Sequence, residues 1–150
     1  MKRLIVNNDA FFADVETFLA EGKKVTIPVK GCSMLPFIRG GRDLVELEAP
    51  EDLKVGDIVL FHGGKYIMHR ILSIDGDRLV IKGDGVVKGE EHVLKSDVRG
   101  KATAILRSGK RRIDPYSPRQ MRRLKVWNAL FPVRRVLTAV YRRLPWNRPF

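Results

Sequence analysis

A serine hydroxyl attacks a carbonyl only when a base removes its proton. The serine that invites this chemistry is Ser33, in the stretch VKGCSMLPFIRGG at residues 29–41. Two runs that read as strands flank it, and its glycines and Pro36 suit a tight, exposed turn. The candidate bases are His62, His69, His92 and several lysines. His69 lies in the middle of KYIMHRIL. Strand alternation puts Met68 and Arg70 on one face and Ile67, His69 and Ile71 on the other, so His69 should point inward. A histidine on an apolar face is more often a packed core residue than a catalyst, and position alone does not assign it. His62 stands against the Gly63-Gly64 turn and His92 beside Glu90-Glu91, and both read as solvated. A third group would fix the imidazole tautomer. Asp84, flanked by Gly83 and Gly85 in VIKGDG, is available for that role or as a plain turn residue. Asp57, Asp75 and Asp77 are explained as turn residues. No cysteine/histidine cluster has zinc spacing, so no metal or cofactor is implied.

The order of these segments carries a resemblance. GCSMLP resembles the G-x-S-M-x-P box of the superfamily that joins type I signal peptidases and the self-cleaving, LexA-like SOS-response repressors. GGRDLVELEAPEDLKVGDIVLF is similar to the strands that follow that box, YIMHRIL to the family's "HR-I" segment, and VIKGDG to its "KGD" segment. The agreement runs over residues 25–106. One branch of the superfamily uses a lysine base. The other, typified by the endoplasmic-reticulum enzymes, has histidine at the position matched by His69. The resemblance therefore implies Ser33 as nucleophile, His69 as general base and Asp84 as orienting acid. Lys82 is the nearest alternative base, but it matches the "KGD" lysine.

The same resemblance makes Gly31, Cys32, Ser33 and Met34 the oxyanion and substrate-binding stretch. Gly31 would allow a tight turn and close approach of a substrate backbone. The Ser33 amide would help to hold the oxyanion, and Met34 and Pro36 would pin the turn on the core. Cys32 fills the variable position of the box. Some signal peptidases carry a serine where Gly31 stands, so the oxyanion hole here must be built from backbone amides or another group. The implied activity is that of a serine endopeptidase acting on a peptide or precursor protein. Its substrate would lie extended beside an edge strand, with small residues before the cut. Two alternatives share the fold: a non-catalytic peptide-binding module, and a self-cleaving or DNA-linked regulator.

Around these residues the pattern is mainly β. Phe11, Phe12, Val15, Phe18 and Leu19 predict a helix over 9–21, with Gly22 as its stop. KKVTIPV reads as a strand that Pro28 pushes to an edge. DLVELE, GDIVLFH, KYIMHRILSI, RLVIKGD and KATAILR are short strands separated by turns. Together they predict a small bent sheet or partly open barrel. The organisation expected is an N-terminal helical segment at 1–24, a β domain at 25–108 and a basic amphipathic helical tail at 109–150.

Charge separates the tail from the body. The 150-residue chain carries a net charge of +12. Residues 107–150 hold 13 Lys/Arg against the single acid Asp114, and the preceding residues are balanced. Ser117, Pro118 and Gln120 form a helix-start signal. Met121, Leu124, Trp127, Leu130 and Phe131 follow on one side, Pro132 interrupts, and Val133, Val136, Leu137, Val140, Tyr141 and Leu144 make a second stripe. Three readings follow: a helix packed on the body, a helix on an anionic membrane surface through residues 117–146, or nucleic-acid binding. The last has charge in its favour but no reading helix in a recognisable motif. One cysteine excludes an internal disulfide. The apolar run after Lys2-Arg3 stops at Asn7, and no stretch approaches the ~20 apolar residues of a membrane span. A cytoplasmic protein is expected, peripheral on the inner face of the membrane under the second of these readings.

Overall fold

Alternation in the short strands builds the sheet. In β2 (Leu44–Glu48), Val45 and Leu47 are fully buried while their neighbours stay partly exposed. In β3 (Ile58–His62) both alternating sets are buried. Ile58 and Leu60 join one apolar cluster with Met34, Phe37, Val45 and Leu47. Val59 and Phe61 join a second with Ile71, Leu79 and Ile81. Successive side chains point to opposite faces, so β3 is covered from both sides. The computed structural model describes residues 8–86 and 88–130, together with 136, 139, 140 and 143.

Eight strands form one curled, half-barrel sheet. The others are β1 (Val25–Pro28), β4 (Tyr66–Asp75), β5 (Arg78–Lys82), β6 (Glu91–Leu94), β7 (Val98–Arg107) and β8 (Arg111–Ile113). Their order is β1-β2-β7-β3-β4-β5-β6, with β8 on β7. Every pairing is antiparallel. Register shifts at Glu46/Leu47, Leu60/Phe61 and Ile71/Ser73 mark irregularities of the kind that bend strands and raise their twist. The mainly-β class is as expected, and Pro28 lies on a strand that, among the described residues, pairs on one side only.

Two strands were not legible as such. EHVL and RRI are too short and too charged to stand out, yet β6 extends β5 and β8 extends β7. The expected tail boundary at 108/109 therefore falls inside the β7–β8 hairpin. Helix α1 (Asn8–Ala20) buries Val15 and Leu19, and Gly22 ends it at φ +81°. Phe18 is largely exposed beneath the Lys23 ammonium.

Tyr116 ties the tail to the sheet. Its hydroxyl donates to Ala102 O (2.7 Å) and accepts from Ile58 N (3.0 Å). Those groups lie one residue beyond the Val59–Lys101 pair, so the phenol continues the ladder where β3 and β7 part. Burial pushes the phenol's pKa well above its ordinary value. Helix α2 (Pro118–Ala129) follows, with Ser117 Oγ accepting from Gln120 N. The reciprocal arm of a capping box is replaced, because Ser117 N donates to Asp114 O. Leu124 is buried, and Met121 and Trp127 pack on the main core. Phe131, Val133, Leu137, Tyr141, Leu144 and Trp146 lie outside the described residues. No helix among the described residues is long and apolar enough to cross a membrane.

Candidate active site

The turn that carries Ser33 is closed at its neck. Gly41 N donates to Val29 O (3.0 Å) and Gly40 N to Gly31 O (3.1 Å). Gly31 has φ +83°, a conformation that favours glycine. A Cβ on Gly40 would overlap the Gly31 backbone, so both residues are required by space or backbone shape. Asp43 holds the base of the turn. Its carboxylate accepts from Arg39 N (2.9 Å), Arg42 Nε (2.7 Å) and Ser108 N (3.4 Å). Burial would raise its pKa, but these donors and the Arg42 charge hold it below the usual carboxylate value. Within the turn Met34 is buried in the main core, while Cys32 and Ser33 are half-buried and Gly31 is exposed.

His69 sits opposite Val59 on β4 and is only 6% exposed. Its ring centroid is 6.2 Å from that of Phe61, on the smaller core's side. The inward direction read from alternation holds. Its Nδ1 lies 3.1 Å from Glu91 Oε2, at the start of β6. Among the described residues Ser33 Oγ makes no hydrogen bond to His69, a separation common before substrate binds.

The segment after β5 brings the two together. A Cβ on Gly83 would overlap Ser33 O and come within 2.9 Å of His69 Nε2. The serine turn and the imidazole Nε2 thus crowd the same glycine. Gly85 N donates to Ser33 O (2.8 Å), and a Cβ there would lie 2.9 Å from both Cys32 O and Leu35 O. Neither glycine has a positive φ. They are small because the nucleophile turn is laid directly on them.

Asp84 does not occupy the orienting position expected for it. Both of its oxygens accept from Arg70, Oδ1 from Nε at 2.8 Å and Oδ2 from Nη2 at 2.9 Å. Arg70 Nη1 also donates to Gly56 O (2.8 Å), and its guanidinium lies 5.5 Å from the Phe37 ring centroid. The physical reason is alternation: Arg70 faces away from His69, and Asp84 is drawn to the buried guanidinium on that side. The acid at the imidazole is Glu91, which is not among the residues the sequence singles out. Asp84 acts as a structural hub. Its N–H contacts Met34 Sδ (3.5 Å), and its carbonyl accepts from Trp127 Nε1 (2.7 Å). Of the other candidate bases, His92 is exposed and His62 is half-buried beside Tyr66.

Comparison of the chain with protein-family models, with curated proteins and with solved structures finds no match.

Proposed function

We propose that the protein is a serine peptidase resembling the histidine branch of the signal-peptidase and SOS-repressor superfamily, with Ser33, His69 and Glu91 as its working residues. The observation that supports this most is the packing of the Ser33 turn and His69 Nε2 against Gly83, with Glu91 at the far nitrogen of the same ring. If Glu91 accepts the Nδ1 proton, the lone pair lies on Nε2, the nitrogen nearest the serine turn. His69 then takes the Ser33 proton as Oγ attacks the scissile carbonyl. The imidazolium, stabilised by Glu91, returns that proton to the leaving amine. Water, deprotonated by His69, hydrolyses the acyl-enzyme. The developing oxyanion is met by backbone N–H groups of the turn, that of Ser33 among them.

The substrate enters beside β1. Among the described residues that strand pairs only with β2, and its chain runs directly into the Ser33 turn. An extended peptide or precursor protein laid along its free edge would gain main-chain hydrogen bonds up to the nucleophile.

Labelling with a serine-directed acylating probe tests the reading. The wild-type protein should be acylated once, on Ser33. Ser33→Ala and His69→Ala should both abolish labelling while keeping the wild-type circular dichroism. Labelling that persists in Ser33→Ala, or none in the wild type, would overturn the peptidase and favour a binding module of the same fold.

A further inference from the structure

Helix α2 shows two faces of different chemistry. Leu124, Met121 and Trp127 turn to the body. The exposed residues include Arg119, Arg122, Arg123 and Lys125, with Val126 at 61% and, just past the helix, Leu130 at 38% exposure. Trp127 is bonded to the Asp84 carbonyl. Between the helix and the end of the nucleophile turn runs an open groove of about 340 Å³, lined by Pro36, Phe37, Arg122, Val126, Trp127 and Leu130.

The charge on this side is not compensated. Among the described residues no carboxylate pairs with Arg119, Arg122 or Arg123. Arg107, next to Phe37, has its Nε buried without a partner. Burial first, then the charges of Arg42, Arg123 and Arg111, lower its pKa, with Asp43 opposing them.

A surface of this kind needs a partner that is anionic and apolar together. Nucleic acid would use the arginines and leave Val126 and Leu130 in water. An anionic bilayer uses both sets: guanidinium groups lie among the headgroups, and aliphatic side chains enter the acyl boundary. We infer that the outward face of α2 and the groove beside Pro36-Phe37 dock on an anionic phospholipid surface. This holds whether or not Ser33 is a nucleophile. It brings the serine turn to the membrane, because Pro36 and Phe37 belong both to the groove and to that turn.

The test is co-sedimentation of the full chain with phosphatidylcholine vesicles, with and without phosphatidylglycerol. Binding should require the anionic lipid and weaken as salt rises. Replacing Arg119, Arg122 and Arg123 together by Gln should lower partitioning roughly a hundredfold. The Val126→Ser and Leu130→Ser pair should lower it by about tenfold or more. All five side chains are exposed, so unchanged circular dichroism is expected, and Val126→Ser alone gives a milder second variant. Equal binding to neutral vesicles, or binding that survives both sets of substitutions, would overturn the inference. So would salt-sensitive binding to duplex DNA without binding to vesicles.

Discussion

Glu91 touches no substrate in the proposed reaction; its role there is to hold the imidazole proton on Nδ1. At 3.1 Å from His69 Nδ1 it favours the tautomer that leaves Nε2 free to accept. Glu91→Gln keeps size and hydrogen-bonding reach but can stabilise the wrong tautomer. The expected loss in the acylation rate at Ser33 is at least about a hundredfold, up to ~10⁴, with little change in probe affinity. Asp84→Asn should behave differently. It leaves the Arg70 charge buried without its partner, a change that typically costs about 3–5 kcal/mol, so its effect should appear first in the denaturation midpoint. Kinetics and denaturation on the two variants separate the roles. A larger rate loss in a still-folded Asp84→Asn than in Glu91→Gln would return the orienting role to Asp84. The sequence made this exchange hard to see. Asp84 stands in a distinctive glycine-flanked segment, whereas Glu91 is one of two adjacent acids whose position depends on β6 pairing with β5. Alternation around His69 was legible because a strand's side-chain period is fixed. That the opposite face at Arg70 is also covered was not, since the cover comes from the nucleophile turn and Asp84.

At the scale of elements, the site depends on where segments cross more than on the strands themselves. Gly83 and Gly85 read in sequence as turn glycines, but their φ values are ordinary and their small size serves the crossing of the Ser33 turn. Only tertiary packing reveals that difference. The same holds for Glu46, an outward residue of β2 by alternation. It accepts from Arg112 of β8 at 2.8 and 2.9 Å and from Thr103 of β7 at 2.9 Å, and so links three strands. The Arg112 hydrogen bonds are the largest influence and, against the opposing effect of burial, bring its pKa from 4.5 to about 2. A carboxyl depressed on folding stabilises the native state above its unfolded pKa, and that contribution is lost as pH falls toward the folded value. The window is therefore pH 4.5 to about 2. In urea titrations across this range, Glu46→Gln should show a shallower loss of stability than the wild type and start from a lower value at neutral pH. Asp43, also depressed, keeps the slope from vanishing. Identical slopes would mean that the β2–β8 link forms equally in the unfolded chain or contributes nothing.

At the scale of the whole molecule, a charge-neutral body and a basic tail were plain from composition, but their mechanical union was not. The sheet, the Tyr116 staple and α2 form one packed unit, and a short chain of contacts runs from α2 into the site. Trp127 Nε1 donates to the Asp84 carbonyl, the Asp84 N–H contacts Met34, and Met34 follows Ser33 directly. The helix proposed to meet a membrane on its outer face is thus fastened by its inner face to the turn that carries Ser33. Trp127→Phe retains most of the apolar contact and removes the N–H donor. Loss of this hydrogen bond should cost about 0.5–1.5 kcal/mol, seen as a lower thermal midpoint with the helical dichroism preserved below it. If α2 positions the serine turn, the rate of Ser33 acylation should fall in the same variant under conditions where it remains fully folded. A lower midpoint with an unchanged acylation rate would restrict α2 to holding the molecule together. A fall in both would tie the tail to the chemistry, and adding anionic vesicles to the wild-type assay would then show whether a partner on the outer face shifts the same rate.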